Sequence, residues 1–213
     1  MSHEGRAALR RSHEEAALTH ALALLRRGEV VALPTDTVYG IACDSKNSAA
    51  IDRLFAIKGR ATTKAIPLLL SNERQLLDVT RDAPDQLWEI AARFWPGALT
   101  IVLPADATLP ANLLSGGSTV AVRLPDSRPV RLLGAMLGRP LAVTSANLSE
   151  GPNSVTAAEV MAQLGDRLPL ILDGGRTAGD RPSTVLDLSV QPARILREGP
   201  ITAADLARWL DPT

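Results

Sequence analysis

The apolar positions of this chain fall into short runs that switch between a helical and an extended rhythm. Leu18, Ala21, Leu22 and Leu25 recur at helical spacing and predict a first helix. Ser12 followed by Glu15 has the pattern of a capping box at its start, and Gly28 closes it. Residues 29–33 read as a buried strand ended by Pro34. The spacing predicts further helices over 48–57, with Ile51, Leu54 and Phe55 on the inner face, and over 84–94, 129–137 and 157–164. Apolar runs at 66–70, 99–103, 119–124, 141–144, 168–172, 184–188 and 194–196 predict strands. A last helix starts at Thr202, with Asp205 three residues on as its capping partner.

Helices and strands interleave, so the fold class is α/β. The later strands crowd together without helices between them, which points to a mixed rather than a purely parallel sheet. There is no repeat, low-complexity tract or linker. A single domain over 1–213 is expected, with a core from about 14 to 210 and residues 1–11 as a polar N-terminal extension. At 46% hydrophobic residues the chain can fill a core. No apolar run approaches the ~20 residues of a membrane span, and the leading residues carry no signal-peptide pattern. The single cysteine, Cys43, permits no internal disulfide and no cysteine zinc cluster. A cytoplasmic location fits.

Charge narrows the function classes further. Lys plus Arg and Asp plus Glu are both 23, so this is not a chain that holds nucleic acid by net charge. An anion would need a local cluster of cations. All three histidines lie at or before position 20, which leaves a Ser-His-Asp or Cys-His centre without its base. Neither a Walker A motif nor G-x-G-x-x-G occurs, so a nucleotide site here is neither a P-loop nor a Rossmann site.

Three polar stretches follow apolar elements, where α/β proteins place ligand groups. Pro34-Thr35-Asp36-Thr37-Val38-Tyr39-Gly40 brings together hydroxyls able to orient a small zwitterion; taken by itself it reads better as a turn with local side-chain to backbone bonds. Lys58-Gly59-Arg60, with Lys64 beyond, either offsets a helix dipole or cradles a polyphosphate. Val143-Thr144-Ser145-Ala146-Asn147 delivers Ser145 and Asn147 two residues apart. They share one side if the extended backbone continues; an Asx or Ser/Thr turn is the alternative. Arg123 inside an apolar strand needs an anionic partner or a solvated face.

These motifs, in this order, resemble the YrdC/Sua5/TsaC family of threonylcarbamoyl-AMP synthases. The resemblance covers about 28–197 and rests on PTDTVYG, FAIKGR, VAVRLP, TSAN, STVLDL and ILREG. The family's KxR and SxN pairs are intact as Lys58/Arg60 and Ser145/Asn147. Since the chain stops soon after this region, it resembles the short form of the family, without the C-terminal domain of longer members.

The resemblance implies a twisted mixed sheet with flanking helices around a deep basic cavity. It implies catalytic roles for Lys58, Arg60, Ser145 and Asn147. ATP or the adenylate would contact Arg60, Lys64, Thr119, Ser145, Asn153 and Arg197. Threonine would contact Thr37, Thr35, Arg123, Ser183 and the backbone at Val143. Two positions depart from the common pattern: Ala61 stands where a proline is frequent, and Leu69 lies where some members carry a histidine.

The implied reaction joins threonine's amine and bicarbonate as a carbamate, which attacks the α-phosphorus of ATP and expels pyrophosphate. Such chemistry asks for fixed cations and donors more than for a general base. Mg²⁺ would ride on the phosphate oxygens, with no ligand from the protein. The product would pass to the tRNA threonylcarbamoyl transferase complex for N6-threonylcarbamoyladenosine at tRNA position 37, and contact with tRNA or double-stranded RNA is implied. The competing expectations are a carbamoyl adenylate made for another acceptor and a non-catalytic RNA-binding module. Only 3% aromatic residues argue against the latter, since single-strand binders stack bases on aromatic rings.

Overall fold

In the computed structural model, residues 6–59 and 65–210 are described. The strands are β1 (Ala8–Arg11), β2 (Val31–Leu33), β3 (Gly40–Asp44), β4 (Leu68–Leu69), β5 (Leu99–Pro104), β6 (Thr119–Arg123), β7 (Leu141–Ser145), β8 (Leu170–Asp173), β9 (Thr184–Asp187) and β10 (Arg194–Arg197). The helices are α1 (Glu15–Arg26), α2 (Ser48–Lys58), α3 (Gln86–Phe94), α4 (Arg128–Leu137), α5 (Ala157–Leu164) and α6 (Ala203–Leu210), with a 3₁₀ helix at Glu73–Asp78. The strands form one sheet in the order β1-β8-β2-β3-β7-β4-β6-β5-β9-β10. Its ladders mix both directions: β3 and β7 are antiparallel, β4 and β6 parallel.

Both faces of the sheet are covered. Leu170 and Leu172 join α1 and α4 in one apolar cluster, whereas Ile171 between them faces the other. That alternation is the period-2 geometry of a strand. Because each face is buried, the sequence of a central strand reads as an unbroken apolar run. The second cluster packs Ile51, Leu54 and Phe55 of α2, Leu87 and Ile90 of α3 and Val160 of α5 against Ile41, Leu68, Ile101 and Val122. The inner face expected for α2 is therefore the buried one. Gly59 and Gly138 end α2 and α4 in the left-handed region, at φ 60° and 76°, where a side chain would be strained.

The structure departs from the sequence pattern in four places. Ser12 does not cap α1: the helix starts at Glu15 with no side-chain cap bond. Instead Ser12 N–H donates to the Asp173 carbonyl, so that residue extends the β1–β8 edge. Residues 8–11, expected within a polar extension, form β1, parallel to β8. Three of its four residues are exposed, so main-chain bonds rather than side-chain burial hold it, and no apolar signal marks it. β3 and the 3₁₀ helix were not expected; β3 is five buried residues without alternation. The Thr202/Asp205 box does form: Asp205 N–H donates to Thr202 Oγ1 at 3.3 Å and Thr202 N–H to Asp205 Oδ2 at 2.9 Å. No described helix is long and apolar enough to cross a membrane.

Cys43 sits in the middle of β3, opposite Ala142 and fully buried. Burial, helped by the neighbouring Asp44 carboxylate, pushes its thiol up to about 12. At pH 8 only about one thiol in ten thousand is then ionised. Native protein is expected to be inert to a thiol-specific colorimetric reagent at that pH. One equivalent should react once the chain is unfolded in guanidinium. Rapid labelling of the native protein would contradict this placement.

Candidate active site

A cavity of about 290 Å³ opens where the ends of several central strands converge. Thr35, Thr37 and Tyr39 reach it from the loop between β2 and β3, and Ala121 and Arg123 from β6. Val143, Thr144 and Ser145 reach it from β7, Thr100 from β5, and Ser183 and Arg197 from β9 and β10 or their approaches. All five residues expected to contact an amino-acid substrate therefore line one cavity. The N–H of Val143 is already committed, donating to the Pro67 carbonyl at 2.9 Å.

Arg123 is the buried cation whose partner the sequence left open. Its Nη2 donates to Asp36 Oδ1 at 2.5 Å, Nη1 to Thr37 Oγ1 at 3.0 Å and Nε to the Gly97 carbonyl at 2.8 Å. Arg123 and Asp36 side chains are 5% and 14% exposed, so the pair is largely out of water and each charge needs the other. Arg197 differs. Among the described residues it pairs with no carboxylate; Nε and Nη2 donate to the Ser183 carbonyl at 3.0 and 2.8 Å, and Nη2 to Ser183 Oγ at 3.3 Å. Desolvation, and then the like charge of Arg123, lower its affinity for a proton. Guanidinium keeps its charge regardless. Arg197 is nonetheless exposed, so it is not a buried charge in need of a counter-ion but an accessible guanidinium, anchored on neutral oxygens, that can meet an anion in the cavity.

Lys58 closes α2 and is 4% exposed. Its Nζ donates to the Ser145 carbonyl at 2.6 Å, to Ser145 Oγ at 2.9 Å and to Asn147 Oδ1 at 3.0 Å. The expected meeting of Lys58, Ser145 and Asn147 is thus observed, but not by strand alternation. β7 ends at Ser145, and Asn147 N–H donates back to the Ser145 carbonyl at 3.0 Å in a tight turn. The amide of Asn147 is fixed by donation from Nδ2 to the carbonyls of Leu148 and Gly151, which leaves Oδ1 for the lysine. Ser145 lines the cavity, so the cluster joins it there.

The remaining expected residues divide. Arg60 and Lys64 lie outside the described residues. Thr119 is half-buried at the start of β6 and does not line the cavity. It shares the sheet face of Ala121 and Arg123, two and four residues on, about 13 Å from Arg123 along the strand. Asn153 is half-buried in the loop before α5 and is also off the cavity wall. Tyr39 lines the cavity, but its hydroxyl is spent elsewhere. It donates to the Gly175 carbonyl at 2.7 Å and accepts from Gly174 N–H at 3.1 Å. Its role is to tie down the loop before β9. Leu69 does line the cavity, as an apolar residue.

Two residues were missed. Asp36 lay inside a quoted motif without a role. Thr100 is 3% exposed and hydrogen-bonds Ser183 at 2.7 Å between the hydroxyls. Its signal was available: it is the one polar residue in Leu99-Thr100-Ile101-Val102-Leu103.

Fold and cavity together define an α/β protein that gathers one buried and one exposed arginine with hydroxyls at converging strand ends, with a lysine-serine-asparagine cluster alongside. The family of Sua5, YciO and YrdC, described as “Telomere recombination”, matches residues 23–199, and the chain belongs to it. Threonylcarbamoyl-AMP synthase of Bacillus subtilis is 39% identical over 197 residues, 92% of this chain and 57% of that protein. The chain therefore spans little more than half of that relative. The Vibrio cholerae protein of the same name is 38% identical over 185 residues, 85% of this chain and 97% of its own. The crystal structure of Pyrococcus abyssi Sua5 complexed with L-threonine superposes with a TM-score of 0.92 at 32% identity, covering 97% of this chain and 61% of that one.

Proposed function

We propose that this protein makes L-threonylcarbamoyl-AMP from L-threonine, bicarbonate and ATP with release of pyrophosphate. The observation that carries the reading is the presence of two arginines on one hydroxyl-lined cavity, Arg123 buried and paired with Asp36, Arg197 exposed and paired with no described carboxylate. The threonine complex of the structural neighbour and the shared name of the curated relatives support the choice of substrate.

In this reading Arg123, held by Asp36 and Gly97, presents its remaining N–H groups to the amino-acid carboxylate. Thr37 and Ser183 meet its other polar groups. Arg197 and Ser145, with Arg60, Lys64, Thr119 and Asn153, hold the nucleotide. Lys58 and Asn147 fix Ser145 beside it. Charge that develops on phosphate oxygens during attack on the α-phosphorus is met by cations already in place, which avoids reorganisation at the moment of reaction. Mg²⁺ enters as part of the MgATP substrate, on its phosphate oxygens. The product serves the N6-threonylcarbamoyladenosine modification at tRNA position 37 through a separate transferase complex, and tRNA enters as the acceptor of that later transfer.

Incubation with ATP, threonine and bicarbonate tests the proposal. Pyrophosphate release that requires both threonine and bicarbonate is expected, with a threonylcarbamoyl adenylate detectable by mass spectrometry. Release independent of threonine points to another acceptor. No release, together with RNA binding, points to a non-catalytic module.

A further inference from the structure

The hydroxyls of Thr35 and Thr37 lie 3.0 Å apart in the loop between β2 and β3, both on the cavity wall. Either oxygen taken alone could donate in that contact. Their other partners decide the direction. A threonine hydroxyl has one proton to give and two lone pairs to accept with. Thr35 Oγ1 gives its proton to the Val38 carbonyl at 2.6 Å. It accepts from Thr37 N–H at 3.1 Å. With that proton committed, the contact between the two hydroxyls has Thr37 as donor and Thr35 as acceptor. Thr35 is then full: one proton given, both lone pairs used.

Thr37 follows from the same count. Its proton goes to Thr35, and one lone pair accepts from Arg123 Nη1 at 3.0 Å. One lone pair remains. The residue is held in place from outside: a Cβ at Gly179 would fall 2.9 Å from both the Thr37 Cα and its carbonyl oxygen, so the backbone at Gly179 presses directly on it. Thr37 is 2% exposed, and the oxygen has little freedom to find another arrangement.

We infer that Thr35 is a positioning residue that touches no ligand by hydrogen bond and makes Thr37 a fixed acceptor, so that the ligand group seated on Thr37 is an N–H or O–H donor. This rests on the amino-acid reading above, where threonine brings two such donors, its amine-derived N–H and its side-chain hydroxyl. The inference explains why two threonines flank Asp36. Asp36 orients Arg123, Arg123 fills one lone pair of Thr37, and Thr35 takes its proton. Without Thr35 the Thr37 proton would be free to turn into the cavity, and the same site would then accept a ligand oxygen as readily as a donor.

The test has an arm that needs no ligand. In proton NMR of the free protein, Thr35 and Thr37 hydroxyl protons are expected to exchange slowly enough to be seen. The Thr37 signal should disappear in Thr35→Val and persist in Thr35→Ser, which keeps the acceptor. A Thr37 hydroxyl proton in the unaltered protein that exchanges at the rate of a solvent-exposed one overturns the inference. This arm stands even where Thr35→Val folds poorly, since it can be read in the unaltered protein.

The second arm is calorimetric. L-Threonine affinity should fall about tenfold in Thr35→Val, the loss of one neutral hydrogen bond, and recover most of that in Thr35→Ser, with ATP affinity unmoved. Equal losses for threonine and ATP in Thr35→Val mean a merely structural role and sink the proposal. Thr37→Val then separates the two donors, with 2-aminobutyrate as the analogue lacking the hydroxyl. If Thr37 meets the hydroxyl, the variant weakens threonine but not 2-aminobutyrate. If it meets the amine, both weaken together. If neither weakens, no donor sits on Thr37 and the inference falls. An unaltered protein that binds no threonine overturns the amino-acid reading, and the NMR arm still decides the direction of the hydroxyl chain.

Discussion

Lys58→Ala is expected to lower pyrophosphate release by about 10²–10³-fold, the usual cost of removing one preorganised donor from a site of charge development. Lys58 reaches the cavity through Ser145, whose carbonyl and hydroxyl it binds together with Asn147 Oδ1. Truncation leaves those three oxygens without their cation, and each buried polar group left unpaired costs about 1–3 kcal/mol. Two effects are therefore superimposed, and the measurement must separate them. Lys58→Met keeps the stem and removes only the ammonium, so its thermal midpoint should lie above that of Lys58→Ala while its activity is equally low. Arg60→Ala, from the same basic segment, is expected to follow Lys58→Ala in activity. A folded Lys58→Met protein with near-normal turnover would remove Lys58 from the reaction and leave it a structural clamp.

Elements that bury a face were legible in the sequence: α5 spans 157–164 as the spacing predicts, and α2 buries the expected Ile51, Leu54 and Phe55. β1 was not, because an edge strand held by its main chain leaves no apolar signature. The site was legible as a set of motifs rather than as geometry. PTDTVYG gave hydroxyls, but hydroxyls near one another in sequence do not say which point inward. The structure spends Tyr39 on a neighbouring loop and Thr35 on its own turn. Asp36 was invisible as the counter-ion of Arg123 because the two are 87 residues apart in the chain. Ser145 and Asn147 converge as expected, by a turn that sequence spacing alone could not distinguish from a continuing strand.

Threonine is expected to exceed valine in kcat/KM by up to ~10⁴-fold, the range open to a site built to hydrogen-bond a substrate hydroxyl. Valine has nearly the shape of threonine, so the apolar part of the cavity, Val38, Leu69, Ala121 and Val143, cannot tell them apart by size. Discrimination must come from polar groups that valine leaves without a partner. Thr37, Thr100, Thr144, Ser145 and Ser183 all place hydroxyl-bearing side chains on the wall. Several are buried, so a lost bond there is not made good by bulk water. Serine keeps the hydroxyl and loses one methyl, a difference of ~1–3 kcal/mol, and should rank between the two. The order threonine, serine, valine is thus the signature of a pocket that reads the hydroxyl. The order threonine, valine, serine is the signature of one that reads only volume. Competition of the three amino acids for a limiting amount of ATP, with the adenylates resolved by mass, measures the ratios in one vessel. If valine equals or exceeds serine, the hydroxyls on this wall serve the fold rather than the substrate, and the assignment of threonine as acceptor goes with them.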